Sequence, residues 1–254
     1  MRPQLLALIL LAGAAHAAPE QVVLEGGRFE SVLPQPDKTA IVTLMRFALD
    51  RHPVTNAEFL EFVTAHPEWR RDAIAPLFTD AQYLGHWAGA SALGDTARAR
   101  QPVTRVSWFA AKAYCEARGA RLPTWYEWEY AAAADERSPD ARKDPQWRQR
   151  ILDWYAQPSS IPLRDVEATP PNWYGVSDLH GLVWEWVLDY NALLVSDDGR
   201  EQDGADKTLY CGAGALSVED REQYAVLMRI AFLSSLEARY TTSGLGFRCA
   251  EDLP

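Results

Sequence analysis

Cysteine and histidine are scarce in this chain. Three Cys and five His are spread over 254 residues. No CxxC pair, no Cys/His group at zinc spacing and no i,i+4 histidine pair occurs, which excludes the common zinc motifs. Positive charge is also in short supply: 25 Lys and Arg against 35 Asp and Glu leave a net charge of −10. Nucleic acids and anionic membranes bind basic surface, so neither is expected as a partner. Beyond the first residues no stretch approaches the ~18 consecutive apolar residues of a membrane-spanning helix. No repeat or low-complexity linker divides the chain, and residues 18–254 are expected to form one domain. What is abundant is tryptophan: ten Trp stand beside 16 Pro in a sequence that is 48% hydrophobic. Each Trp brings a large apolar area and an N–H that needs an acceptor. Many Trp with many Pro point to a loop-rich body rather than a plain helical bundle.

The first 17 residues read as a signal peptide. Arg2 supplies a positive start, residues 5–15 are apolar, and Ala15-His16-Ala17 fits small-x-small cleavage. The expected location is the periplasm or outside the cell. An oxidising compartment favours one disulfide among Cys115, Cys211 and Cys249, and leaves one thiol. The residues alone allow all three pairings.

Several elements are set by local chemistry. Residues 22–24 and 41–49 carry the β-branched and apolar runs of strands. Thr55-Asn56-Ala57-Glu58 and Thr124-Trp125-Tyr126-Glu127 are capping boxes, the second opening a helix through Ala134. Ser107 is the N-cap of a helix over 108–118, and Gly119 suits the position after its end. Residues 135–149 are charged and read as a surface loop or short helix. Residues 157–172 hold four Pro and must be irregular. Residues 183–187 and 246–250 read as strands and 219–232 as helix. The fold class is α+β with little regular structure. Alternation in Trp184-Glu185-Trp186 puts both Trp on one face and Glu185 on the other, as in a core strand. Glu127 closes its capping box, and Glu129 is expected to pair with an Arg such as Arg121. Glu219-Asp220-Arg221-Glu222 is either a solvated run or an acid–base cluster, and Asp189-Tyr190-Asn191 either a turn or part of a cleft.

The order of motifs adds a resemblance. Pro53-Val54-Thr55-Asn56 is followed by Pro102-Val103-Thr104-Arg105-Val106-Ser107-Trp108, Ala113-Tyr114-Cys115 and Gly119-Ala120-Arg121-Leu122-Pro123-Thr124. Then come Glu127-Trp128-Glu129-Tyr130-Ala131, Pro171-Asn172, Gly175, Trp184-Glu185-Trp186 and Gly246-Phe247-Arg248-Cys249-Ala250. This series resembles the formylglycine-generating-enzyme (sulfatase-modifying factor) family over about Met45 to Ala250. The resemblance implies a single loop-rich domain of the C-type-lectin-like kind and a Cys115–Cys249 disulfide with Cys211 reduced. The family includes copper-dependent oxidases that convert a sulfatase Cys to formylglycine, iron-dependent synthases, a pyoverdine-maturation protein, nitrite-reductase accessory proteins and ligand-binding proteins.

Departures from the family pattern narrow this. The oxidases hold copper(I) between two thiolates, a soft ion on soft ligands. Counting back without gaps from Gly246-Phe247-Arg248-Cys249 puts Asp220 and Ala225 at those positions, so a bis-thiolate copper site is not expected. Arg229 matches a family Arg on a strand. Ser217 and Gly212-Ala213-Gly214 match its Ser and Gly turn. The iron-binding branch needs His from a separate domain, whereas His52, His66, His86 and His180 are scattered here. The family's calcium sites fall near residues 172–186, where Asn172 and Asp178 could serve as hard oxygen ligands. The expected role is that of an accessory or maturation factor for an exported redox enzyme or metabolite. The alternative is a periplasmic oxidoreductase on a peptide, protein or small aromatic substrate. Candidate site residues are Arg229 to position an anion, Asp220 to move protons, Tyr190 to stack on substrate, and Cys211.

Overall fold

Close backbone approach at glycine decides how the first strands are shared out. The computed structural model describes residues 19–33, 40–157, 162–191 and 224–254. Strands β1 (Gln21–Leu24) and β2 (Gly27–Glu30) are joined through Gly26, at φ +69°. A Cβ on Gly26 would lie 2.5 Å from the Leu44 carbonyl oxygen and 2.6 Å from that of Met45. Only glycine lets these two turns pack together. The run 41–49, expected as one strand, therefore splits into β3 (Ile41–Leu44) and β4 (Phe47–Asp50). β3 pairs with β2, while β4 lies between β1 and β7 (Ala250–Asp252) in an antiparallel sheet with Val22 opposite Leu49 and Leu49 opposite Ala250. All four residues of β4 are buried, as befits a central strand.

The capped helices form as their sequences dictate. α1 (Asn56–Ala65) and α3 (Trp125–Ala132) carry complete capping boxes at Thr55/Glu58 and Thr124/Glu127. α2 (Trp108–Ala117) is capped by Ser107 and followed by Gly119 at φ +74°. α3 stops short of Ala134. α4 (Pro145–Tyr155) starts inside the charged segment: Asp144 accepts from the Gln146 N–H, and Pro145 occupies the first turn, where its missing N–H costs nothing. α5 is Tyr224–Ser234. Strands β5 (Trp184–Glu185) and β6 (Leu245–Gly246) pair in parallel and are shorter than expected. The reason lies in Phe247 and Cys249, whose carbonyls accept from the Val54 and Asp50 N–H groups instead. A Cβ on Gly246 would sit 2.7 Å from the Val103 carbonyl oxygen, so this crossing also requires glycine.

The core lies between the three-stranded sheet and α1–α3. Phe59 packs on Phe62, Trp87, Tyr114 and Phe247, and burial of such rings supplies most of the apolar stabilisation. Cys115 of α2 is bonded to Cys249, closing 134 residues. This is the pairing that the family resemblance implies. Among the described residues no helix is long and apolar enough to cross a membrane. The N-terminal 18 residues, Cys211, the Gly212-Ala213-Gly214 turn, Ser217 and the run 219–222 with Asp220 lie outside the described residues.

Candidate functional site

Glu185 of β5 is the centre of a buried charge cluster. Its two carboxylate oxygens accept from Arg248 Nη2 at 2.8 Å and Nε at 2.9 Å, and one also accepts from Trp128 Nε1 at 2.8 Å. Both ionic side chains are fully buried. Arg248 spends its other N–H groups on the carbonyls of Asp50, Arg51 and Ser177. A buried ion pair is tolerable only when its remaining donors and acceptors are met in this way. Arg229 enters from α5. Its Nη2 donates to the main-chain oxygen of Glu185 at 2.6 Å, and its guanidinium lies 3.5 Å over the Trp128 ring. Among the described residues its Nε has no partner. Burial, with a smaller push from Arg248, lowers the Arg229 pKa to about 10 against the attraction of Glu185. His180 stands edge-on to Trp128 and Trp147, with Nε2 2.9 Å from the Ala132 carbonyl oxygen. Burial first, then Arg229 and Arg248, lower its pKa to about 4, so it is neutral at pH 7.

Trp184 faces the other way. Tyr155 stacks on it at 5.0 Å and 3°, with Trp154 at 5.5 Å and Phe232 at 4.9 Å. These residues of α4 and β5 form one wall of a cleft of ≈ 720 Å³ whose other walls include His86, Gln101, Arg105 and Ser243. A neighbouring cleft of ≈ 350 Å³ is lined by His180, Asp178 and Arg150, and shares Trp154, Gln157, Arg164 and Gly181 with the first. Arg105 holds φ +53°, a conformation that costs a non-glycine residue roughly 1–3 kcal/mol unless its surroundings enforce it. Two backbone bonds enforce it: its N–H donates to Thr242 and its carbonyl accepts from Leu84.

The structure distributes the expected site residues differently. Tyr190 is buried in the turn after β5, 5.0 Å from Trp186 and 5.9 Å from Trp108, and burial raises its pKa. Neighbouring Asp189 accepts from the Trp125 N–H at 2.8 Å, fixing this turn to the start of α3. Arg229 lies on a helix, not the strand that the resemblance implies, because apolar residues at helical spacing surround it. Its side chain is interior, 2% exposed, rather than on the cleft wall. Asp220 and Cys211 are not among the described residues. Glu129 does pair with an Arg, but with Arg142, whose Nη1 lies 4.0 Å from its Oε1, rather than with Arg121. Arg121 forks onto Glu127 at 2.6 and 2.7 Å, while Glu129 accepts from Ser31, the Val32 N–H and Trp125 Nε1. The sequence places Glu127, not Glu129, on the face of α3 next to Arg121.

The oxygens suggested for calcium do not fit that ion in this arrangement. Asp178 accepts from Arg164 Nη2 at 3.1 Å and the Glu167 N–H at 2.6 Å, and Arg164 Nη1 also donates to the Gly181 carbonyl at 2.6 Å. A guanidinium thus holds the place of a cation at this carboxylate. Asn172 Oδ1 accepts from the Tyr174 and Val176 N–H groups, and its Nδ2 donates to Ala131. Among the described residues no group of three or more His, Cys, Asp or Glu is arranged to hold a metal.

Sequence reasoning missed three features: the Glu185–Arg248 pair, the aromatic end of α4, and Arg105. The α4 signal was available, since Trp147, Ile151 and Tyr155 repeat every four residues behind Asp144-Pro145.

Residues 10–253 match the sulfatase-modifying factor enzyme 1-like domain. The chain is 31% identical over 289 residues to the formylglycine-generating enzyme of Streptomyces coelicolor, spanning 91% of this chain and 89% of that protein. It is 30% identical over 274 residues to the inactive C-alpha-formylglycine-generating enzyme 2 of Mus musculus, spanning 91% of this chain and 85% of that one. The crystal structure of CarF covers 93% of this chain and 99% of its own at a TM-score of 0.51 and 16% identity, a likeness of fold. With nearly its whole length matched, its expected motifs in order and its disulfide in place, the chain belongs to the sulfatase-modifying factor enzyme 1-like family.

Proposed function

We propose that this protein is an exported formylglycine-generating-enzyme-like accessory or maturation factor. In this reading it lacks the bis-thiolate copper site, and the ≈ 720 Å³ cleft is its working surface for an exported redox enzyme or metabolite. The observation that carries the reading is the fate of the cysteines. The chain has three, and Cys115 and Cys249 are bonded to each other. One sulfur remains, and one sulfur cannot supply two thiolates to copper(I). Asp220 and Ala225 stand at the two thiol positions by counting, an oxygen ligand and a methyl group. The similarity to an inactive mouse relative, level with that to a bacterial enzyme, fits a family in which the fold outlives the oxidation chemistry. The cluster around Glu185 fits the same reading, since its groups are interior and hydrogen-bonded to one another rather than open to a substrate.

The N-terminal segment supports export, and cleavage after Ala17 would take the charge from −10 to −11 by removing Arg2. A periplasmic oxidoreductase acting on a peptide or aromatic substrate is the second reading, favoured by the Trp154, Tyr155 and Trp184 wall of the cleft. The deciding experiment incubates the purified protein with a sulfatase-type Cys peptide, copper and reductant. No aldehyde above a protein-free control is expected; aldehyde formation would overturn the reading. Intact mass of the exported protein checks the cleavage site.

A further inference from the structure

We propose that the ≈ 720 Å³ cleft binds a flat aromatic ligand carrying an anionic group, its ring against Trp184 and Tyr155 and its charge against Arg105. This rests on the reading of the cleft as the working surface and adds the chemical class of what enters it.

The aromatic half comes from how the tryptophans are used. Trp87, Trp108, Trp125, Trp128 and Trp186 each donate their ring N–H to a protein acceptor. Trp69, Trp147, Trp154, Trp173 and Trp184 do not, among the described residues; of these five only Trp154 and Trp184 line the cleft, both half-buried. Tyr155 stacks on Trp184 at 5.0 Å and 3°, so the two rings form a layered aromatic wall beside these two open donors. Flat rings stack on such a surface in offset geometry.

The anionic half comes from charge pairing. Around the cleft Arg98 pairs with Asp165, Arg100 with Glu167 and Arg164 with Asp178. Arg105 has no carboxylate partner among the described residues; its Nη1 donates to the amide oxygen of Gln82 at 2.8 Å. Its two backbone bonds fix the main chain and the Nη1–Gln82 bond anchors one edge of the guanidinium, which lowers the side-chain freedom lost when a ligand arrives. His86, beside it in the wall, is neutral, with burial and then Arg105 and Arg71 holding its pKa down to about 4. The opposing charge in the wall is Asp95, an exposed carboxylate. An unpaired guanidinium in the cleft of a protein with net charge −10 is matched best by a ligand anion, which it can grip through two N–H groups. The cleft volume is within the range of small-molecule sites.

Isothermal calorimetry on the full chain with 2-naphthoate, its uncharged amide and acetate tests this. Saturable naphthoate binding is expected, at least tenfold tighter than the amide, with acetate too weak to measure. Arg105→Gln should bring naphthoate down to the level of the amide. Trp184→Leu, or Tyr155→Leu if that variant does not fold, should weaken both. Arg105→Asn, which tolerates positive φ, replaces the Gln variant if folding fails. Equal binding of acid and amide, no saturable binding, or an unchanged preference in the Arg105 variants overturns the proposal. Aldehyde formation in the peptide assay would sink the accessory reading while leaving this ligand class standing.

Discussion

Two tryptophan-rich regions meet at β5 and treat charge in opposite ways. On the Glu185 side, Arg248 and Trp128 saturate the carboxylate, and the rings exclude water. On the Trp184 side, among the described residues, two indole N–H groups have no protein acceptor and the Arg105 guanidinium has no carboxylate partner. The first arrangement is expensive to disturb and rewards no ligand. The second adds little to folding and is open to one. Adjacent residues on a strand face opposite ways, so two side chains in sequence can serve stability and recognition separately.

The contrast can be broken most severely at Glu185. Glu185→Gln keeps the shape and removes the charge that two buried guanidinium groups share. A loss of about 3–5 kcal/mol is expected by urea denaturation, the cost of stranding buried charge. A loss under about 1 kcal/mol would mean that water reaches the cluster.

Acid should attack the same side. His180 has its pKa lowered to about 4 in the folded state, against 6.5 for the unfolded chain. Stability due to its neutral ring is complete above pH 6.5 and falls away as the pH drops from 6.5 towards 4. The shift converts to about 3 kcal/mol at most, and the residue's partial exposure brings the expected loss nearer about 2 kcal/mol. His180→Gln should flatten stability against pH across that window.

Between the regions stands Arg164, which lines both clefts and neutralises buried Asp178. Arg164→Ala should cost about 1–3 kcal/mol by leaving a buried carboxylate short of a donor. A calcium chelator should not shift the melting temperature of the native protein; a fall of several degrees would show that a divalent ion, not the guanidinium, serves Asp178.

The smallest effect belongs to the cleft. Arg105→Gln is expected to change stability by less than about 0.5 kcal/mol, since no ion pair is lost. A larger change would blur the contrast by making Arg105 a structural residue.

What the sequence disclosed follows the range of each interaction. Thr55/Glu58, Ser107 and Thr124/Glu127 were legible because a helix cap is completed within four residues. Glu185 and Arg248 are 63 residues apart, and nothing local marks either as ionic core. The break at Met45 was hidden for the same reason, as it depends on Gly26 packing on a distant turn. The Cys115–Cys249 bond was one of three pairings until the family pattern singled it out. Of the candidate site, Arg229 and Tyr190 were legible as residues that matter to this half of the molecule. Their burial was not, because a lone polar residue in an apolar segment looks the same from sequence whether it faces a cleft or a ring.

The tie between Cys249 and α2, with Arg248 gripping Glu185 and Gly246 wedged against Val103, has a consequence for the timing of folding. β7 joins β4, and Phe247 fills the pocket made by Phe59 and Tyr114. Every one of these partners precedes the closing segment by at least 60 residues in the chain. A nascent chain that has not yet produced Leu245 lacks a sheet strand, a core ring, the counter-ion of its buried glutamate and half of its disulfide. It must wait in an open form, and long-range closure of that kind is slow.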